Sequence, residues 1–198
     1  MAELRLHGRP ASPGLAFSKL FVLPEAGAPA ATRPVGEAAA EAARLRQAIG
    51  QATAELERVS DSAAEDAREI LEFQIAMLGD DTLSEPAMAA IAEGEGADAS
   101  WAAALDAHIA EYSGAEDEYF RARAADLEDL RDRVLNVLSG RQVEAVPSGA
   151  LLVARDLPPS RFLGIAWSEG AAIALAAGSP TSHVALLARA RGIPMVVG

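Results

Sequence analysis

The 198-residue chain contains no cysteine. That absence removes disulfides, thiol nucleophiles and Cys-ligated zinc together, and it fits a cytoplasmic protein. Positive charge is scarce as well: 17 Lys and Arg stand against 29 Asp and Glu, a formal net charge of −12 and a pI of about 4.7. Nonspecific nucleic-acid binders and binders of anionic membranes need the opposite surplus, so neither partner is expected. The longest apolar stretch, around Gly170 to Gly178, falls well short of the roughly 18 residues of a membrane span. The first ten residues carry Glu3, Arg5, His7 and Arg9 and hold no apolar signal core. Cytoplasmic localisation is the resulting expectation.

Several catalytic signatures are missing too. There is no Gly-x-Ser-x-Gly elbow and no phosphate-binding P-loop, and Gly94-Glu95-Gly96 lacks both the third glycine and the preceding strand of a dinucleotide fingerprint. Asp80 and Asp81 read as helix-end capping or solvated charge, and no metal site is expected in this chain.

What is present is unevenly distributed. Residues 36–145 hold 25 acids against 9 bases, a net of −16, while residues 1–35 and 146–198 each hold 2 acids and 4 bases. The acidic middle is rich in alanine and helical in its spacing. Leu45, Ile49, Ala52, Leu56 and Val59 form one stripe, and Leu127, Leu130, Val134 and Val137 another. Ile70, Phe73 and Met77 line a shorter helix stopped by Gly79, Asp80 and Asp81. Asp98 or Ser100 caps the next helix, and Gly140 ends the last. Four or five antiparallel helices result. The flanks instead show short apolar runs bounded by Gly, Pro and Ser at Leu15–Leu23, Ala150–Ala154, Ala171–Ala176 and Ile193–Val197, the pattern of buried strands, with one helix at Val184–Ala190. The fold expected is a discontinuous α/β domain, residues 1–32 and 146–198, interrupted by an all-α bundle of helical hairpins, residues 33–145.

The chain has three histidines. His7 reads as solvated and His108 as an ordinary helix residue. His183 follows Ala177-Gly178-Ser179-Pro180-Thr181-Ser182 and opens an apolar helix. A small-residue turn of this kind leaves backbone N–H groups free at a helix start, where anions including phosphate are attracted. The helix dipole there would stabilise a phosphoryl group once attached to an imidazole. On these residues alone, the bland alternative, a capped helix with an incidental histidine, stays open.

Four segments carry a resemblance: Ala11-Ser12-Pro13-Gly14-Leu15-Ala16, Ile70-Leu71-Glu72 through Leu83, Asp117-Glu118-Tyr119 through Leu130 with Arg123-Ala124-Ala125-Asp126 inside it, and Thr181-Ser182-His183 to Gly198. In that order they resemble the amino-terminal domain of enzyme I of the bacterial sugar phosphotransferase system, the phosphoenolpyruvate-protein phosphotransferases. The resemblance implies an α/β phosphohistidine (swivelling) domain split by a helical domain that docks the phosphocarrier HPr. It makes His183 the residue that takes a phosphoryl group from phosphoenolpyruvate and passes it to HPr, with Gly178, Thr181, Ser182 and Arg189 as motif support. It maps the HPr-docking surface to Gln74, Met77, Asp81, Leu83, Tyr119, Phe120 and Arg123. It also implies that the Mg²⁺ and phosphoenolpyruvate sites, and the dimer contacts, lie in a further domain beyond Gly198, the chain being an amino-terminal fragment. Three positions depart from the family pattern. Ser179 replaces a second glycine, Pro180 follows it, and Pro158 stands where a Thr hydroxyl is expected beside the imidazole; Ser160, Thr181 or Ser182 is expected to replace that hydroxyl. Alternative readings are an enzyme I-like domain of a multiphosphoryl transfer or dihydroxyacetone kinase phosphotransferase protein, and a noncatalytic helical adaptor.

Overall fold

A computed structural model describes residues 5, 7–24, 34–114, 118–141 and 144–198; the side chains of residues 66 and 118–122 lie outside the description. The chain divides into two compact units, one formed by residues 1–25 with 144–198 and the other by residues 26–143.

The second unit is helical: α1 (Ala38–Asp61), α2 (Glu65–Leu78), α3 (Asp81–Ala92), α4 (Ala97–Ser113) and α5 (Glu118–Leu138). Leu45, Ala48, Ala52 and Leu56 of α1 are buried with Leu71 and Leu78 of α2, Ala87 and Ile91 of α3, Leu105 of α4, and Leu127, Leu130 and Val134 of α5. Their three- and four-residue spacing is the stripe that a bundle needs. Trp101 is fully buried and donates its indole N–H to the Arg131 carbonyl at 3.2 Å, tying α4 to α5. Gly79 caps α2, and the Asp80 carboxylate caps α3 by accepting from the Thr82 N–H at 2.9 Å and the Thr82 hydroxyl at 2.7 Å. That local use accounts for Asp80.

The start of α4 corrects the expectation of an Asp98 or Ser100 cap. Gly96 occupies the N-cap with no side-chain cap bond. The Ala97 N–H instead donates to Glu41 Oε2 of α1 at 3.0 Å. Glu41 is 1% exposed, accepts also from the Gly36 N–H at 3.0 Å, and pairs with Arg44 at 2.8 Å. A carboxylate 56 positions away in sequence thus satisfies an orphan helix donor.

The other unit holds a five-stranded sheet of order β1-β5-β4-β3-β2, from β1 (Arg9–Ser12), β2 (Leu20–Val22), β3 (Leu151–Ala154), β4 (Ala172–Leu175) and β5 (Met195–Val197). Helices α6 (Pro159–Gly164) and α7 (His183–Ala190) connect the three later strands. Strands β2, β3, β4 and β5 run parallel, in a register that aligns Leu152 with Ile173 and Ile173 with Met195. Those residues are buried and form the core with Phe162, Val184, Ala185 and Ala188. Strand β1 is antiparallel to β5 and covers its outer side, with a bulge between Pro10 and Ser12. Pro10 is tolerated because β1 is an edge, where a missing N–H costs no central ladder bond. A Cβ at Gly14, just beyond, would sit 2.6 Å from Pro194 Cγ, so only glycine fits.

One strand expectation changes. The run Leu15–Leu23 forms a strand only over β2, because β3 meets it only there and, among the described residues, no strand pairs its other side. Strand β5 is interior, between β1 and β4.

Candidate functional site

Strand β4 leads through residues 176–182 into α7, and this turn is built almost entirely from its own small side chains. Gly178 has φ of +93°, a left-handed conformation that L side chains rarely adopt; a Cβ there would meet only Asp156 Oδ1 at 3.8 Å, so conformation rather than crowding calls for glycine. The Ser179 hydroxyl bonds the Thr181 hydroxyl at 2.9 Å and accepts from the Thr181 N–H at 3.2 Å. Ser182 is the N-cap of α7, its hydroxyl accepting from the Ala185 N–H at 3.3 Å while its carbonyl accepts from Leu186.

His183 is therefore the first residue of α7, and its side chain is exposed. The N–H groups of Ala185 and Leu186 are taken, whereas those of His183 and Val184 have no partner among the described residues. An exposed imidazole beside unpaired N–H groups at the positive end of a helix is suited to carrying a phosphoryl group. Arg189 lies nearly two turns further on. Its Nε donates to the Ala11 carbonyl at 2.7 Å, and its Nη2 donates to the Pro180 carbonyl, so the guanidinium clamps the turn to β1.

One expectation at this site is corrected. None of Ser160, Thr181 and Ser182 hydrogen-bonds the His183 imidazole. The reason is prior engagement: Thr181 closes the turn, Ser182 caps the helix, and Ser160 is 1% exposed within α6. The helix α6 itself was not legible in the sequence; its signal is a proline in its first turn, following a second one at its N-cap. Among the other histidines, His7 is exposed, and His108 is half-buried along a shallow alanine groove between α3 and α4.

The residues assigned to docking fall into two groups. Met77 is half-buried and Asp81 exposed, and the Arg123 side chain is 24% exposed with its guanidinium 3.8 Å from the centroid of the Phe73 ring. Gln74 is fully buried and Leu83 only 8% exposed, which corrects their placement at the surface. The reason is helical phase: the buried stripe of α2 is Ala67, Leu71, Gln74 and Leu78, and Ile70, Phe73 and Met77 lie beside it on the open side. The backbones of Tyr119 and Phe120 belong to α5, and their side chains lie outside the described residues. Sequence reasoning missed Phe73 as the ring under Arg123. It also missed Asp126 and Asp129, both under 10% exposed, to which Gln74 Nε2 donates at 3.4 and 3.3 Å. Burial pushes the Asp126 carboxyl above its ordinary range, against the lowering effect of Arg123 and Gln74, and the neighbouring charge of Asp129 adds to the rise.

A discontinuous α/β unit with an exposed histidine at a helix start, interrupted by an acidic helical bundle, defines a class that the comparisons make specific. Residues 7–123 match the family model for the N-terminal region of PEP-utilising enzymes, and residues 146–198 match that for the mobile domain of PEP-utilising enzymes. The chain belongs to this family of phosphoenolpyruvate-utilising enzymes. It is 32% identical over 205 residues to the phosphoenolpyruvate-protein phosphotransferase of Geobacillus stearothermophilus, covering 99% of this chain and 35% of that protein. It is 34% identical over 180 residues to that of Streptomyces coelicolor, covering 85% and 31%. The fold is similar to a solution structure of Enzyme I, with a TM-score of 0.75 at 27% identity over 98% of this chain and 82% of that one. It is also similar to the N-terminal domain of Enzyme 1 - Nitrogen, with a TM-score of 0.67 at 25% identity over 98% and 83%. The chain spans about a third of the length of the curated relatives it matches.

Proposed function

We propose that this chain is a histidine phosphotransfer module of the phosphoenolpyruvate-protein phosphotransferase type, in which His183 carries the phosphoryl group and the helical unit docks an HPr-like carrier. The observation that supports it best is the exposed His183 at the first position of α7, beside the unpaired N–H groups of His183 and Val184, in a chain matched by this family along nearly its whole length. In the transfer, a ring nitrogen of His183 attacks the phosphorus held on the carrier imidazole. The new P–N bond forms as the old one breaks, and the reverse reaction returns the group to the carrier. The phosphoryl oxygens then lie at a helix N-terminus, where backbone N–H groups and the dipole stabilise their charge. Arg189 contributes by holding the turn in place. The docking surface proposed is the open side of α2 with the start of α3 and α5: Met77, Asp81 and Arg123, with Tyr119 and Phe120.

Mg²⁺ and phosphoenolpyruvate belong in this reading to a further domain of the whole enzyme. Among the described residues no group of three or more His, Asp or Glu side chains is placed to hold a cation, so no step here is routed through one. The test is radiolabelling of the purified chain. Phosphorylated HPr is expected to label the wild type and not His183→Gln, with both giving the same circular dichroism spectrum. Phosphoenolpyruvate with Mg²⁺ is expected to label neither. Label retained by His183→Gln would overturn the assignment, and no transfer from phosphorylated HPr to the folded wild type would favour the adaptor reading.

A further inference from the structure

The buried stripe of α2 has one member that packing does not explain. Ala67, Leu71 and Leu78 are apolar, and Gln74 between them is as buried as they are. An amide there is costly, and its Oε1 has no hydrogen-bond partner. Its Nε2 does have a task. It reaches Asp126 Oδ1 at 3.4 Å and Asp129 Oδ2 at 3.3 Å, two nearly buried carboxylates three residues apart on α5. Asp126 in turn uses its other oxygen, Oδ2, to accept from Arg123 Nη1 at 3.1 Å, and the Arg123 guanidinium lies 3.8 Å from the centre of the Phe73 ring. The contacts form a chain from core to surface: amide, carboxylate, guanidinium, ring.

Each link removes a degree of freedom from Arg123. The ring face holds the guanidinium carbon 3.8 Å from its centre, and the bond to Asp126 fixes the direction of Nη1. Asp126 would be free to turn toward solvent if nothing held its inner oxygen, and Gln74 is what holds it. A long side chain ordered before binding loses less entropy on association.

We propose that Gln74 is a positioning residue: its buried amide anchors Asp126 and Asp129, so that Arg123 is held over Phe73 and presented, already oriented, to hydrogen-bond acceptors on the docked carrier. This rests on the docking reading above, but the anchoring of Arg123 is measurable without any carrier.

The experiment uses the full chain as wild type, Gln74→Met, Arg123→Ala, the double variant, and Asp126→Asn as a second way to release Arg123. The first readout is the Nε–Hε signal of Arg123 in the free chain. The wild type is expected to give a high heteronuclear NOE, which both Gln74→Met and Asp126→Asn lower. The second readout is phosphoryl transfer from phosphorylated HPr. Gln74→Met is expected to raise KM about fivefold with kcat unchanged, and to add little to Arg123→Ala in the double variant, as members of one network do. An unchanged Arg123 signal in both Gln74→Met and Asp126→Asn would overturn the proposal. So would an effect of Gln74→Met that multiplies fully with that of Arg123→Ala. A wild-type KM in Arg123→Ala would instead overturn the docking reading, and with it the recognition half of the proposal, while the arginine signal still decides the anchoring.

Discussion

At the scale of single residues, Asp126 separates what stabilises this fold from what it presents at its surface. Burial raises its folded-state pKa above the unfolded value. The folded state therefore binds the proton more tightly, and ionisation opposes folding above the folded pKa; that cost fades as the pH falls through it. Asp126→Asn, which mimics the protonated form, is expected to be at least as stable as the wild type in urea at pH 7, with the two curves converging toward pH 4. Asp132 shares the raised pKa, again chiefly from burial, so the wild type should lose less stability on mild acidification than its acidic composition implies. A midpoint for Asp126→Asn far below the wild type at pH 7 would show that the Arg123 and Gln74 contacts outweigh desolvation. The helix start at His183 was legible at this scale because a turn of small residues before an apolar helix is a local pattern. Gln74 was not: its amide looks like any helical glutamine until α5 brings two carboxylates to it.

Among the elements, the start of α4 depends on a residue of α1. Glu41 accepts from the Gly36 and Ala97 N–H groups and from Arg44, joining the entry to α1, the N-terminus of α4 and its own helix. Glu41→Ala is expected to cost about 2 to 3 kcal/mol, the scale of lost hydrogen bonds to a charged group that leave buried donors unpaired. Glu41→Gln, which keeps acceptor capacity at one oxygen, should cost less. Equilibrium urea unfolding measures both, and hydrogen exchange at Ala97 locates the effect; a cost within error of zero for Glu41→Ala would mean that water replaces the carboxylate. The helices of this unit were readable from their stripes, but not this cap, because Gly96 has no side chain to announce it. The buried face of α2 was not announced by its largest side chains either. Ile70, Phe73 and Met77 are its larger apolar residues, yet α2 buries the face carrying Ala67, Leu71, Gln74 and Leu78.

For the whole molecule, the sheet of the α/β unit is covered unequally. Parallel sheets normally bury both faces. Here the register aligns Leu20 with Leu151, Val22 with Val153, Val153 with Ala174 and Ala174 with Val196 on one face. On that face Leu20 is 64%, Val22 59% and Val196 44% exposed, and Leu15 and Phe17 just before β2 are fully exposed. An apolar patch of this kind binds apolar partners. The 198-residue chain is expected to enhance ANS fluorescence in its native state, and Val22→Lys with Phe17→Ser to reduce that signal without lowering the midpoint of unfolding. Equal dye binding by the double variant would place the accessible apolar surface elsewhere.

The sequence by itself determined the division into an acidic helical stretch within α/β flanks, most of the helices, four of the five strands and the turn that opens α7 at His183. Each is written in local composition and in periods of two or four residues, which depend on the chain's own geometry. Tertiary structure alone decided that Pro10 lies on an edge strand, that β5 is interior, that Glu41 caps α4, and that Gln74 faces inward to Asp126 and Asp129. These are contacts between residues dozens to nearly two hundred positions apart, such as Arg9 with Val197 or Gln74 with Asp129. A side chain's partner at that separation is set by the packing of whole elements, which no local pattern encodes.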